Sequence, residues 1–138
     1  MKRKIVINVF EEFKKYQDWM IAKILECQKV INEFNLKYEK KAYEDILEKI
    51  KELNCTKFEK ELDKINKDEE IKTKIINFFE KTKESFEEIF PKEVDNLYQY
   101  YDNLLQYFSF KIEMTEKIIK KQSEKCIIHQ ECPEFTEL

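Results

Sequence analysis

Glycine is absent from all 138 residues of this chain, and proline occurs only twice, as Pro91 and Pro133. Glycine normally makes up about 7% of a domain and occupies positions that require positive φ. Its absence excludes glycine-rich phosphate-binding loops and argues against tight β-hairpins. The sequence therefore consists of long stretches that can continue as helix without interruption.

Arginine and histidine are almost absent as well. Arg3 is the single arginine among 26 basic residues, and the formal net charge is −3. Bidentate recognition of phosphate or guanine favours arginine over lysine, so we expect no nucleic-acid partner. His129 is the only histidine, and no Glu-x-x-His unit is present. Because histidine-based metal enzymes and di-iron bundles need more imidazole than this, we expect no enzymatic activity.

No segment of the sequence approaches the roughly 20 apolar residues of a membrane span. Residues 1–10 begin with basic side chains, but their apolar run breaks at Asn8 and no small-residue cleavage site follows. This pattern argues against a signal peptide. The four cysteines are spread along the chain rather than arranged as a disulfide framework. We expect a cytoplasmic protein without a membrane span.

The apolar residues of the first half repeat in steps of three and four over residues 6–53, which predicts amphipathic helices. Asn8 and Glu11 stand in capping-box register, so the first helix is expected to begin there. A single helix over the whole stretch would be unusually long for a small domain. We therefore place a break near residues 35–40.

Three further boundaries divide the second half of the chain. Thr56 and Glu59 form another capping-box pair, and Asp68 is placed to cap the helix that follows. Pro91 ends that helix and suits the first turn of the last one. We expect this last helix to extend from Pro91 to about Lys125.

These boundaries predict an all-α fold. We expect a single domain over residues 1–138, built as an up-and-down bundle of four helices, with three long helices as the alternative. Residues 126–138 are expected to form a short frayed tail. The helical stripes place these side chains in the core: Phe13, Met20, Ile24, Leu104 and Phe108.

Cys126, His129 and Cys132 form the sharpest local motif, because these three residues are all of types that bind zinc and they recur at a spacing of three. A structural zinc site normally requires four ligands. The fourth would have to come from elsewhere: Cys27, Cys55, Glu131 or a group of another chain. No paired Cys-x-x-Cys spacing supports the site, so we expect no metal and no cofactor. The simpler interpretation is a buried Cys126 at a frayed terminus. A Cys126–Cys132 disulfide is a third interpretation.

The last helix carries more aromatic residues than one core face needs. Its core stripe begins at Leu97, and a second set of side chains points elsewhere: Tyr100, Tyr107, Phe110 and Met114. Tyrosine is amphipathic and enriched at interface centres. This second set predicts a face for a protein partner or for self-association. The alternatives are a central helix that packs on two neighbours, and scattered exposed residues.

The sequence identifies no reaction and no ligand. We expect a non-enzymatic protein–protein interaction module, such as a small regulatory subunit, an adaptor, or an inhibitor of the kind that viruses and mobile elements encode. One alternative is a structural or surface-coating helical protein, because amphipathic helices also lie on membranes and granules. The other is a metal-binding protein that uses Cys126, His129 and Cys132.

Overall fold

A computed structural model describes residues 7–35, 37–90 and 96–126. Within these ranges the chain forms five α-helices and no β-strand: α1 (Val9–Glu33), α2 (Lys37–Glu52), α3 (Glu59–Lys67), α4 (Glu69–Ile89) and α5 (Leu97–Glu124). The predicted all-α fold is confirmed. The predicted number of four helices is not confirmed. Five helices are present in the described ranges, because the breaks near residue 35 and near residue 55 both separate helices.

The first helix begins where the capping-box spacing predicts. The Asn8 side chain accepts a hydrogen bond from the backbone N–H of Phe10 at 2.8 Å. The N–H of Val9 donates to the side-chain oxygen of Asn66 at 2.9 Å. These two bonds satisfy donors that the first turn of a helix leaves unpaired. Because Asn66 belongs to α3, the same cap holds the start of α1 against α3.

The predicted break between α1 and α2 is confirmed. α1 ends at Glu33, and Asn35 adopts the left-handed region with a φ of 55°. Helices commonly end on such a residue, which is usually glycine and otherwise asparagine. Since the chain has no glycine, asparagine takes this position. The N–H of Phe34 still bonds to the carbonyl of Val30 at 2.9 Å, and α2 begins at Lys37.

The predicted cap at Thr56 is wrong. Phe58 stands in the cap position of α3 and supplies no side-chain hydrogen bond. The preceding turn is closed by Asn54, whose side chain accepts from the N–H of Lys57 at 3.0 Å. The Phe58 ring is buried and meets the Phe13 ring edge-on, with centroids 6.1 Å apart. Burial of this ring, rather than a cap, therefore determines where α3 begins.

Short polar side chains cap the two long helices of the second half. Asp68 caps α4 by accepting a backbone N–H at 3.1 Å, as predicted. Asn96 caps α5 in the same way at 3.0 Å. Because Asn96 has extended backbone angles, the expected start of the last helix at Pro91 is corrected to Leu97. Residues 91–95 lie outside the described ranges.

The last helix runs antiparallel to the first. The Tyr16 hydroxyl lies 3.1 Å from the Thr115 hydroxyl. Further along α1, the Trp19 ring lies 6.0 Å from the ring of Phe108, which comes earlier in α5. The two helices therefore advance in opposite directions along a shared seam, and their central residues meet in the interior.

The fourth helix runs parallel to the first. Phe13 meets Phe79 with ring centroids 5.8 Å apart, and Trp19 meets Phe86 at 5.4 Å. The later residue of α1 therefore contacts the later residue of α4, so the two helices run in the same direction. Since the chain reverses direction between α4 and α5, these two helices lie side by side on α1 in opposite directions.

The core joins buried side chains from all five helices in one cluster. Every residue placed in the core from the sequence is at most 1% exposed: Phe13, Met20, Ile24, Leu104 and Phe108. That part of the prediction is confirmed. Rings dominate the centre of the cluster, where α1, α4 and α5 meet.

We expect Phe108→Ala to lower the free energy of unfolding by about 3–5 kcal/mol, the usual cost of truncating a buried phenylalanine. Phe108 is 0% exposed and contacts Trp19, Phe86 and Tyr107. Phe110→Ala is the matched control, because substitutions at exposed positions usually change stability by no more than about 0.5 kcal/mol. Denaturant unfolding monitored by circular dichroism measures both. Equal losses would contradict the orientation of α5.

Candidate interaction surface

Tyr107 packs against α4 rather than projecting into solvent. Its hydroxyl donates a hydrogen bond to the backbone carbonyl of Thr82 at 3.0 Å. Its ring lies 5.9 Å from Phe86 and 5.3 Å from Phe90, centroid to centroid. Burial raises the pKa of the Tyr107 hydroxyl to about 12. The side chain therefore ties α5 to the C-terminal half of α4.

Tyr100 also packs against Phe90, two helical turns nearer the start of α5 than Tyr107. Its half-buried ring meets Phe90 edge-on, with centroids 5.9 Å apart, and meets Tyr101 at 5.1 Å. Burial is the main cause that raises the pKa of the Tyr100 hydroxyl. Tyr100 and Tyr107 thus pack within the chain, as expected for a helix between two neighbours. A role in partner binding stays a prediction for both.

Phe110 and Met114 are the other two members of the predicted set. The Phe110 side chain is 56% exposed, and Met114 is half-buried at the edge of α5. Residues four apart on a helix are neighbours on its surface. Phe110 and Met114 are therefore neighbours on the surface of α5. Their role as a partner face stays a prediction.

A groove of about 440 Å³ lies between α4 and α5, and we call it the α4–α5 groove. Phe78 and Met114 supply its apolar lining, and three amines supply its charged lining: Lys74, Lys81 and Lys111. Asn77, Thr82 and Ser85 complete it. No acidic side chain of the described residues lines the groove. It is therefore both apolar and basic, on a chain whose net charge is negative.

Lys111 is held at the α4–α5 groove by aromatic rings. Its amine lies 5.5 Å from the centroid of Phe78 and 5.6 Å from that of Tyr107. A cation over an aromatic face is attracted by the negative face of the ring. Partial burial lowers the pKa of the Lys111 amine. The lysine is therefore positioned by packing, and its charge faces the groove.

The basic side of this surface is not among the features predicted from the sequence. Lys74 and Lys81 lie seven residues apart, so they occupy the same face of α4, and this signal was present in the sequence. The proximity of these two lysines to Lys111 cannot be read from the sequence, because it depends on how α4 and α5 pack together.

Cys126 is the only member of the predicted zinc motif among the described residues. Its buried thiol donates to the backbone carbonyl of Gln122 at 3.4 Å. Burial first, and then the charge of Asp68, raises the pKa of the Cys126 thiol. His129 and Cys132 lie outside the described ranges. Within those ranges no three His, Cys, Asp or Glu side chains group as metal ligands, and the zinc hypothesis stays untested.

Cys27 lies in the core, where burial raises the pKa of its thiol to about 12. Burial also raises the pKa values of Cys55 and Cys126. A thiol that stays protonated at neutral pH is a weak nucleophile. The three free cysteines of the described ranges are therefore suited to packing rather than to covalent catalysis.

Cys27→Ala is expected to reduce the sensitivity of the fold to alkaline pH. In the unfolded chain the thiol ionises near its ordinary pKa of about 8.5, well below its folded pKa of about 12. The contribution of the neutral thiol is complete below the unfolded pKa. It is lost by about 1.4 kcal/mol per pH unit as the pH rises between the two values.

Denaturant unfolding of wild type and Cys27→Ala, under reducing conditions from about pH 7 to about pH 10, measures this loss. The stability advantage of wild type over the alanine variant should shrink toward the alkaline end. Any cost of the cavity in the variant is the same at every pH, so it cancels from the trend. A difference between the two proteins that does not change with pH would contradict a buried neutral thiol.

No helix within the described ranges is both long and apolar enough to cross a lipid bilayer. Comparisons of the chain with protein-family models, with curated proteins and with solved structures give no significant match.

Proposed function

We propose that this chain is a non-enzymatic protein–protein interaction module that binds through the outer surface of α4 and α5. The observation that carries the proposal is the position of Phe110. Its ring is 56% exposed and lies one helical turn from Met114, which lines the α4–α5 groove. An exposed ring beside an apolar cleft is the arrangement from which interface hot spots are built.

The lining of the groove favours binding over catalysis. Its ionisable groups are three lysines, with no acidic partner among the described lining residues to serve as a base beside a nucleophile. Lysine, phenylalanine and methionine side chains together provide charge and adaptable apolar contact. We infer recognition rather than turnover, without nucleic acid as the ligand.

The packing of the helices provides a rigid support for such a surface. In this proposal α2 and α3 act as two segments of one arm of an up-and-down bundle, because both lie against α1 and α5. Surfaces on packed helices change little on binding. A small regulatory subunit, an adaptor or an inhibitor in the cytoplasm would act in this way, by occupying a surface of another protein.

Phe110→Gln tests the proposal. We expect affinity capture from a lysate of the source cells, followed by quantitative mass spectrometry, to recover a partner with wild type and to lose it with Phe110→Gln. Removal of a hot-spot ring commonly costs about 2 kcal/mol or more, which is at least a tenfold loss of affinity. Glutamine is a good helix former, so the variant should keep the melting temperature of wild type.

Tyr98→Gln is the matched control, because Tyr98 is on the same helix and is 57% exposed. It lies twelve residues before Phe110 and is not part of the groove. Capture should be retained by this variant. If Phe110→Gln retains every partner, or if Tyr98→Gln loses the same partners, the proposed surface is wrong. Sedimentation of both variants separates self-association from binding of a different protein.

A further inference from the structure

Two of the three groove lysines have no carboxylate partner within the described residues. The third groove lysine, Lys74, pairs with Glu70 at 3.8 Å, and Lys83, outside the groove, pairs with Glu80 at 3.8 Å. Neither Lys81 nor Lys111 forms an ion pair with any described residue. The α4–α5 groove therefore presents two positive charges that no carboxylate of the described residues neutralises.

The apolar part of the groove lies among these charges. Phe78 and Met114 line it from opposite helices, and the amine of Lys111 lies 5.5 Å from the Phe78 ring centroid. An occupant that satisfies this lining has to carry apolar side chains with carboxylates beside them. A phosphate group alone would leave Phe78 and Met114 without a partner.

We propose that the α4–α5 groove binds an acidic amphipathic helix of another protein, an inference that rests on the proposed function. Apolar side chains of that helix pack on Phe78 and Met114. Its flanking carboxylates pair with Lys81 and Lys111. Helix-in-groove recognition of this kind uses apolar anchors spaced three and four residues apart, and complementary charge directs the encounter.

The length of the α4–α5 groove along α4 matches a helix of a few turns. Lys74 and Ser85 mark its ends along α4, and a helix of that span is about 16 Å long at about 1.5 Å per residue. This distance accommodates about three turns of a bound helix. Lys81 lies between these ends, so a carboxylate near the middle of the bound helix reaches it.

Lysine, rather than arginine, supports a protein ligand over nucleic acid. All three cationic side chains of the groove are lysines, which act as point charges and do not form the bidentate bonds used to recognise phosphate and guanine. A carboxylate can accept a hydrogen bond from a single lysine ammonium group in many orientations. The observations therefore favour a peptide with acidic side chains.

A phage-displayed library of random 16-residue peptides, selected against the full chain, tests the inference. We expect enriched sequences that combine apolar residues at helical spacing with glutamate or aspartate. Fluorescein-labelled peptides of the enriched sequences are then titrated with wild type and variants by fluorescence anisotropy. Affinity should fall steeply as the salt concentration rises, because exposed charge pairs are screened.

Lys81→Gln combined with Lys111→Gln should weaken binding of these peptides at least tenfold and flatten the salt dependence. Lys83→Gln is the matched control, because Lys83 is on α4 but does not line the groove, and it should change affinity less than twofold. Circular dichroism confirms that each variant is folded. If the double variant binds like wild type, or if the enriched peptides carry no excess of acidic residues, the inference is wrong.

Two further measurements exclude other occupants. Residues 131–137 contain Glu131, Glu134 and Glu137, so reversal of these three charges to lysine in the full chain tests whether this segment competes for the groove. A fivefold or greater gain in peptide affinity would overturn the proposal in favour of the chain's own tail. Sedimentation tests for a second copy in the groove. A wild-type dimer that dissociates in the variant carrying both Lys81→Gln and Lys111→Gln would overturn the proposal in favour of self-association.

The failure of this inference can be distinguished from that of the proposed function. Enriched peptides that lose affinity with Phe110→Gln but contain no acidic residues contradict only the choice of partner. Peptides or captured proteins that bind independently of Phe110 and of both groove lysines contradict the proposed surface itself.

Discussion

The arrangement of the long helices depends on the side chain of Tyr16. Its ring stacks on Phe79 of α4, with centroids 4.5 Å apart and 16° between the planes. Its hydroxyl lies 3.1 Å from the Thr115 hydroxyl of α5. Because Thr115 donates to the backbone carbonyl of Lys111, Tyr16 is the donor in this pair. A buried tyrosine that satisfies its hydroxyl in this way joins α1 to both α4 and α5.

The outer surface between α4 and α5 follows from these inner contacts. The rings of α1 fill the inner side of the pair, and Tyr107 closes one end by donating to the carbonyl of Thr82. Beyond this contact the two helices are separated by the edge of Phe78 and the side chains of Lys111 and Met114. The α4–α5 groove is thus the outer face of the seam whose inner face is the aromatic core.

The local sequence pattern is sufficient to predict most of the helices and the core. The spacing of Asn8 and Glu11 predicts the first cap, the residue type of Asp68 predicts the cap of α4, and the apolar stripe of α5 predicts that Phe108 is buried. The boundary at Phe58 was missed, because burial against Phe13 in α1 determines it and no cap marks it. The groove was missed for a related reason. It depends on pairing between Thr82 and Tyr107, and such contacts between distant residues leave no periodic signal in one sequence.

Native-state hydrogen exchange tests the central role of Tyr16 most directly. If Tyr16 holds α1, α4 and α5 in one cooperative unit, the amides of Tyr16, Phe79 and Thr115 exchange only through global unfolding. Their free energies of exchange should then agree with each other, and with that of denaturant unfolding, to within about 0.5 kcal/mol. A clearly smaller value at Phe79 would show that α4 detaches by itself, and would contradict the account.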